Sequence, residues 1–246
     1  MSGINGKVAF ITGASRGIGA ATVRRLALEG YAVAFTFANS ADKANALVSE
    51  LKVKNQRVIA LQADNANAKL VSEAVNQTVS KFGRLDVVVN NAGSFPMGEI
   101  GSLSIDDFDR AVALNIRGAF IATQVASLEM KNGGRIINIG SSLVGRASRS
   151  GISLYTLCKA AMVGFTKGVA RDLGSRGITV NIVHPGSTDT DMNPADGPNA
   201  HLKKSITALN RYGQPEEVAN MIAWLASEEA GFVTGSEFTI DGGGNA

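Results

Sequence analysis

Residues 8–19 read Val8-Ala9-Phe10-Ile11-Thr12-Gly13-Ala14-Ser15-Arg16-Gly17-Ile18-Gly19. Four apolar residues in a row, then a glycine-rich turn, then helical periodicity through about residue 29 predict a strand, a tight turn and a helix. A strand that is apolar along its whole length has no face to give to water, so both faces must be covered. The same pattern recurs outward from this stretch. Apolar or β-branched runs at Ala32 to Phe37, Arg57 to Leu61, Leu85 to Val89, Arg135 to Ile139, Thr179 to Val183 and Phe238 to Ile240 complete seven strands. Segments near 17–29, 41–53, 67–82, 104–130, 153–174 and 216–227 read as the intervening helices. Strands alternating with helices define an α/β fold, a Rossmann-like, doubly wound, seven-stranded parallel sheet with helices on both faces.

No linker, repeat or composition break divides residues 1–246, so a single domain is expected, with a long irregular stretch near 186–200 and a lid near 186–207. The 45% apolar and 18% charged residues fit a well-cored globular chain. The 28 glycines accompany only 5 prolines, so they serve backbone geometry and not a flexible tract. One cysteine, Cys158, and two histidines, His184 and His201, leave no disulfide and no clustered metal ligands to expect. The net charge of +3 comes from scattered basic residues, which argues against a nucleic-acid partner. Met1 to Gly6 carry no charged n-region or apolar h-region, and no run reaches about 18 apolar residues. A soluble, cytoplasmic protein with no membrane partner is expected.

The turn Gly13-x-x-x-Gly17-x-Gly19 brings helix-start amides close to whatever anion lies over it, as a dinucleotide diphosphate would. The end of the second strand selects the dinucleotide. A ribose 2′-hydroxyl is held by an acid about 20 residues past the glycines, whereas a 2′-phosphate needs that acid absent and a cation nearby. Here the run is Thr36-Phe37-Ala38-Asn39-Ser40, with no acid before Asp42, and Arg16 supplies the cation. NADPH/NADP+ is therefore the expected cofactor.

Tyr155 and Lys159 stand four apart on an expected helix and so share one face. An ammonium beside a phenol lowers the phenol's pKa and suits it to act as general acid or base on a carbonyl or alcohol oxygen. Ser142 follows the fifth strand, where the carboxyl ends of a doubly wound sheet converge, and its hydroxyl can donate to an oxygen on which charge develops.

These residues, with Asn90-Asn91-Ala92-Gly93, Asn115 and Pro185-Gly186, resemble in order and spacing the short-chain dehydrogenase/reductase family, over about residues 4–243. Within it the chain is similar to 3-oxoacyl-carrier-protein reductases and related carbonyl reductases. The resemblance implies that Tyr155 donates the proton, Lys159 lowers its pKa and binds the nicotinamide ribose, Ser142 orients the carbonyl, and Asn115 holds a relay water. It implies cofactor contacts from Gly13, Ser15, Arg16, Gly17, Ile18 and Gly19, from Asn39 and Ser40, and from Asp64 and Asn65. Asn91, Ala92 and Gly93 would join them, as would Pro185, Gly186, Thr188 and Thr190. A small-molecule carbonyl substrate and a homotetramer built through paired helices are implied in the same way.

Cys158 stands where many relatives have Ser, and Thr188 where an aliphatic residue is frequent; neither change touches the reductase chemistry. Arg146 and Arg149, between Ser142 and Tyr155, either recognise a substrate carboxylate or phosphate or remain solvated. His184 reads as a packed strand-end histidine. Two alternatives stay open: an alcohol or polyol dehydrogenase running oxidatively, and a nucleotide-binding regulator. For the second, residues 191–198 and Arg211 to Ala219 resemble a small branch of the family proposed to bind a cyclic dinucleotide in biofilm dispersal.

Overall fold

Seven parallel strands form one sheet in the order β3-β2-β1-β4-β5-β6-β7 in the computed structural model, which describes residues 6–246. The reading of Met1 to Gly6 thus falls, Gly6 apart, outside the described residues. The strands are β1 (Val8–Ile11), β2 (Ala32–Phe37), β3 (Val58–Gln62), β4 (Val87–Asn90), β5 (Arg135–Ile139), β6 (Thr179–Pro185) and β7 (Glu237–Ile240). Strand bounds move by a residue or two from those read in the sequence, and each expected strand is present.

Eight α-helices connect them: α1 (Gly17–Leu28), α2 (Ala41–Val53), α3 (Ala68–Phe82), α4 (Ile105–Val112), α5 (Gly118–Glu129), α6 (Ser153–Leu173), α7 (Ala200–Ser205) and α8 (Pro215–Ala226). Alternate residues of the central strands feed two separate apolar layers. Ala9, Ile11, Val33 and Phe35 pack with Val23 and Leu26 of α1 and Ile222 and Ala223 of α8. Val8, Phe10, Ala32 and Ala34 pack with Val71 and Val75 of α3 and Ala122 and Ala126 of α5. The strands read as apolar throughout because each face has its own helix layer. The sheet's edge is the exception: β7 alternates exposed and half-buried residues, since no further strand covers it.

One expectation needs correction. The helix read over 104–130 is interrupted by a π-helical turn, Ala113–Arg117, between α4 and α5. Side-chain amides serve carbonyls there: Asn115 Nδ2 donates to Ala111 O at 3.0 Å and Asn65 Nδ2 to Leu114 O at 2.7 Å. Periodicity alone does not register such a turn, because the flanking helices keep one direction. The continuous helix Ile105–Glu129 also has the length and mean hydropathy, 1.3, of a membrane span. Its alanines supply this hydropathy without an unbroken apolar run, and Ala119, Ala122 and Ala126 are buried. The stretch read as irregular, near 186–200, ends where α7 begins, and isolated bridges join Thr188 to Gly213 and Thr190 to Asn193.

β1 lies between β2 and β4, so the connections leaving β1 and β4 part to opposite sides of the sheet. The crevice at their carboxyl ends is where ligands bind in sheets wound this way.

Candidate active site

The turn after β1 is built for close approach. Gly13 and Gly17 adopt φ of +63° and +56°, a conformation that glycine takes at little cost. Thr36 on β2 fixes the turn, its Oγ1 accepting from Gly13 N–H at 2.9 Å and its carbonyl from Ala14 N–H at 2.8 Å. Helix α1 then begins with no side-chain cap at Arg16 and no acid in its first turn. Uncapped amides and a positive helix end fit a diphosphate. At the end of β2, Phe37 is buried and Asn39 exposed, so the position of a ribose-binding acid is apolar. Arg16 is exposed on the adjoining turn. The residues present therefore fit a dinucleotide carrying a 2′-phosphate.

The β4 turn is locked against the β1 turn. Asn91 Nδ2 donates to the carbonyls of Thr12 and Gly13, at 2.9 and 3.0 Å, and Thr12 Oγ1 accepts from the Asn91 and Ala92 N–H groups. Asn90 does different work: its Nδ2 reaches Thr123 and Asn138, tying β4 to α5 and β5 beneath the site. Asp64, exposed, accepts from Ala66 N–H in its own turn. Asn65 is buried and clamps the π turn through Leu114, while its Oδ1 has no partner. Beyond β6, Thr188 is buried with its hydroxyl on Gly186 O at 3.2 Å. Thr190 faces the glycine turn, so that a Cβ built on Gly17 would lie 3.2 Å from its methyl.

Tyr155, Lys159, Asn115 and Gly93 come together at the ends of β4 and β5. Lys159 is buried on α6 and donates to Ile139 O at 2.8 Å. A Cβ at Gly93 would stand 2.9 Å from Asn115 Oδ1 and 3.5 Å from Lys159 Nζ, leaving a cradle only glycine keeps open. Asn115 Oδ1 accepts from Ser94 N–H at 3.0 Å, and the π turn that carries this residue is a device often found at functional sites. Lys159 Nζ lies 5.9 Å from the centre of the Tyr155 ring. Burial pushes the Lys159 ammonium down to about 8. Burial also pushes the Tyr155 phenol above its ordinary value, with the Ser141 side chain, hydrogen-bonding toward it, pulling the other way. Desolvation opposes the charged form of both groups.

Ser141 follows Gly140 at the end of β5 and is buried, its Oγ accepting from Leu143 N–H at 3.3 Å. Ser142 enters the hydrogen-bond network through its carbonyl, which accepts from Asn245 Nδ2 at 2.6 Å and from Gly145 N–H. His184 also does more than pack: it lies behind Ser141, with Nδ1 3.1 Å from the Ser141 nitrogen. On the open side, Phe95 meets the Tyr155 ring at 4.4 Å, and Arg149 stacks over Phe95 at 5.3 Å. Arg146 is exposed nearby.

A dinucleotide cradle beside a buried lysine and a tyrosine defines the class of an oxidoreductase. A sequence model described as "Enoyl-(Acyl carrier protein) reductase" matches residues 13–245, and the chain belongs to the short-chain dehydrogenase/reductase family. It is 46% identical over 242 residues to the "Cyclic-di-GMP-binding biofilm dispersal mediator protein" of Escherichia coli, covering 98% of each chain. It is 42% identical over 246 residues to a "3-oxoacyl-[acyl-carrier-protein] reductase" of Synechocystis, covering 99% of this chain and 98% of the other. The crystal structure of a short-chain dehydrogenase from Burkholderia cenocepacia in complex with NADP superposes with a TM-score of 0.97 at 48% identity, over 99% of both chains. The fold class read from the sequence is that of this family.

Proposed function

We propose that the chain is an NADPH-dependent carbonyl reductase of the 3-oxoacyl or ketone type. The observation that carries this reading is the convergence of Tyr155, Lys159 and Asn115 on the cradle at Gly93. NADPH, when bound, supplies the hydride to the carbonyl carbon. Tyr155 donates its phenolic proton to the carbonyl oxygen, and Ser142 donates a hydrogen bond to the same oxygen as charge builds there. Lys159 stands close enough to the phenol to stabilise its anion once the proton has left. Asn115 fixes the Ser94 backbone and, through the widened helix, sits where a relay water reaches Lys159. Gly13 to Gly19 hold the diphosphate, Arg16 reads the 2′-phosphate, and Thr188 and Thr190 close over the nicotinamide half with the 186–207 segment as lid. The Burkholderia structure's NADP supports the cofactor, and the Synechocystis relative supports a 3-oxoacyl substrate.

The protein is a soluble cytoplasmic enzyme in this reading, one domain per chain and four chains per assembly. Large apolar side chains exposed on α4 to α6, among them Phe108, Phe120 and Leu157, suit helix pairing between subunits. A cyclic-dinucleotide-binding role is a second reading, favoured by the name of the E. coli relative. In the Arg211 to Ala219 stretch Arg211 is exposed and paired with Glu217, and Gln214 with Glu217 forms the capping box of α8. NADPH oxidation against acetoacetyl thioesters, β-keto esters and cyclic ketones tests the first reading, and cyclic-di-GMP titration with and without NADPH tests the second.

A further inference from the structure

The 188–193 segment touches the glycine turn at two points. Thr190 lies against Gly17, and the next residue, Asp191, places one carboxylate oxygen, Oδ2, against both Arg16, at 3.6 Å, and Lys43. The two cations come from different elements, Arg16 from the turn before α1 and Lys43 from the first turn of α2. Among the described residues neither pairs with another carboxylate. They flank the end of β2, where Phe37 leaves no acid of its own. Two cations meeting on a single oxygen is the arrangement that a phosphate oxygen also satisfies.

We propose that Arg16 and Lys43 form one anion site with two exchangeable occupants: the carboxylate of Asp191 and the 2′-phosphate of the cofactor. This rests on the NADPH reading above. Asp191 is a tethered competitor, and Lys43 is a second residue that selects the phosphorylated dinucleotide. The 2′-phosphate displaces Asp191 from the cations, and the 188–193 segment loses its anchor on that side. NADH brings no competing anion and leaves the Asp191 contacts in place. Lys43 beside Asp191 holds its carboxyl below the usual range, so the competitor stays charged at neutral pH.

Calorimetric binding of NADPH and NADH to the wild type, Asp191→Asn and Lys43→Gln tests this. Exposed ion pairs are individually weak, so the expected changes are modest. Asp191→Asn should bind NADPH about threefold more tightly with NADH unchanged, and Lys43→Gln should bind NADPH about threefold more weakly with NADH unchanged. Backbone hydrogen exchange over residues 187–199 should rise on adding NADPH relative to NADH. Unchanged or weaker NADPH binding by Asp191→Asn overturns the proposal, as does an equal change for both cofactors. A wild type that binds NADPH and NADH equally overturns the cofactor reading itself, and so separates the two failures.

Discussion

His184 Nδ1 lies 3.1 Å from both the backbone nitrogen and the carbonyl oxygen of Ser141. The imidazole is buried, and burial lowers its pKa, so the ring is neutral near pH 7. With Ser141 N–H donating to Nδ1, the ring proton sits on Nε2, which faces Glu237 Oε2 at 3.3 Å. Glu237, itself held by Lys167 at 2.8 Å, therefore orients the ring that fixes the Ser141 backbone. His184→Ala should lower kcat about ten- to hundredfold, the scale set by small misplacements of a reacting group. The NADPH Kd should stay unchanged, because the cofactor cradle lies on β1 and β4. Steady-state kinetics with calorimetric binding check this split; a parallel loss in cofactor affinity would show a general structural defect.

Tyr155→Phe removes only the hydroxyl and keeps the ring packed on Phe95. Turnover should fall by at least about a hundredfold, and the NADPH Kd should remain near that of the wild type. Ser142→Ala should lose about a hundredfold in turnover while keeping its NADPH Kd, because the hydroxyl acts only on the oxygen where charge develops. Near wild-type turnover of that variant would remove Ser142 from the reaction.

Lys159 titrates at about 8 in the fold against 10.5 as a free side chain. Between these values the unfolded chain binds the extra proton, so stability rises with pH through that window. The buried ammonium costs about 3 kcal/mol below pH 8, and the cost is relieved as the pH climbs toward 10.5. Tyr31, pushed up to about 12 by burial, works in the opposite sense above pH 10. Lys159→Met should accordingly be stabilised relative to the wild type at pH 7 more than at pH 9.5. Thermal melts of both proteins at the two pH values measure this; a gap that does not narrow would mean that Lys159 is not desolvated as the structure has it.

Glu217 is held at about 2 by its two bonds to Arg211, each 2.7 Å, and by the Gln214 N–H. Its contribution is present above the ordinary value of 4.5 and is lost as the pH falls through the folded value. Both side chains are more than a third exposed, so solvent screening limits the loss in Glu217→Gln to about 1 kcal/mol at pH 7. Urea unfolding at pH 7 and pH 3 should show the two proteins converging at the lower pH.

The fold was legible because β1, β2 and β4 carry apolar residues on both faces, a pattern that a helix-covered parallel sheet explains. The Tyr155 and Lys159 pair was legible because helical spacing carries one residue to the other. Two features were not. The π turn around Asn115 depends on side-chain amides from Asn65 and Asn115 itself, and Asn65 is distant in sequence. The Asp191 bridge to Arg16 and Lys43 joins three segments, and no sequence pattern brings them together.

Oxidation of NADPH, with NADH in parallel, against acetoacetyl thioesters, β-keto esters and cyclic ketones tests the central claim most directly, with Tyr155→Phe as control. The account predicts turnover of at least one ketone, faster with NADPH than with NADH, and abolished in the Tyr155→Phe protein. Equal rates in the wild type and the Tyr155→Phe protein, or tight NADPH binding with no turnover of any ketone, would contradict it.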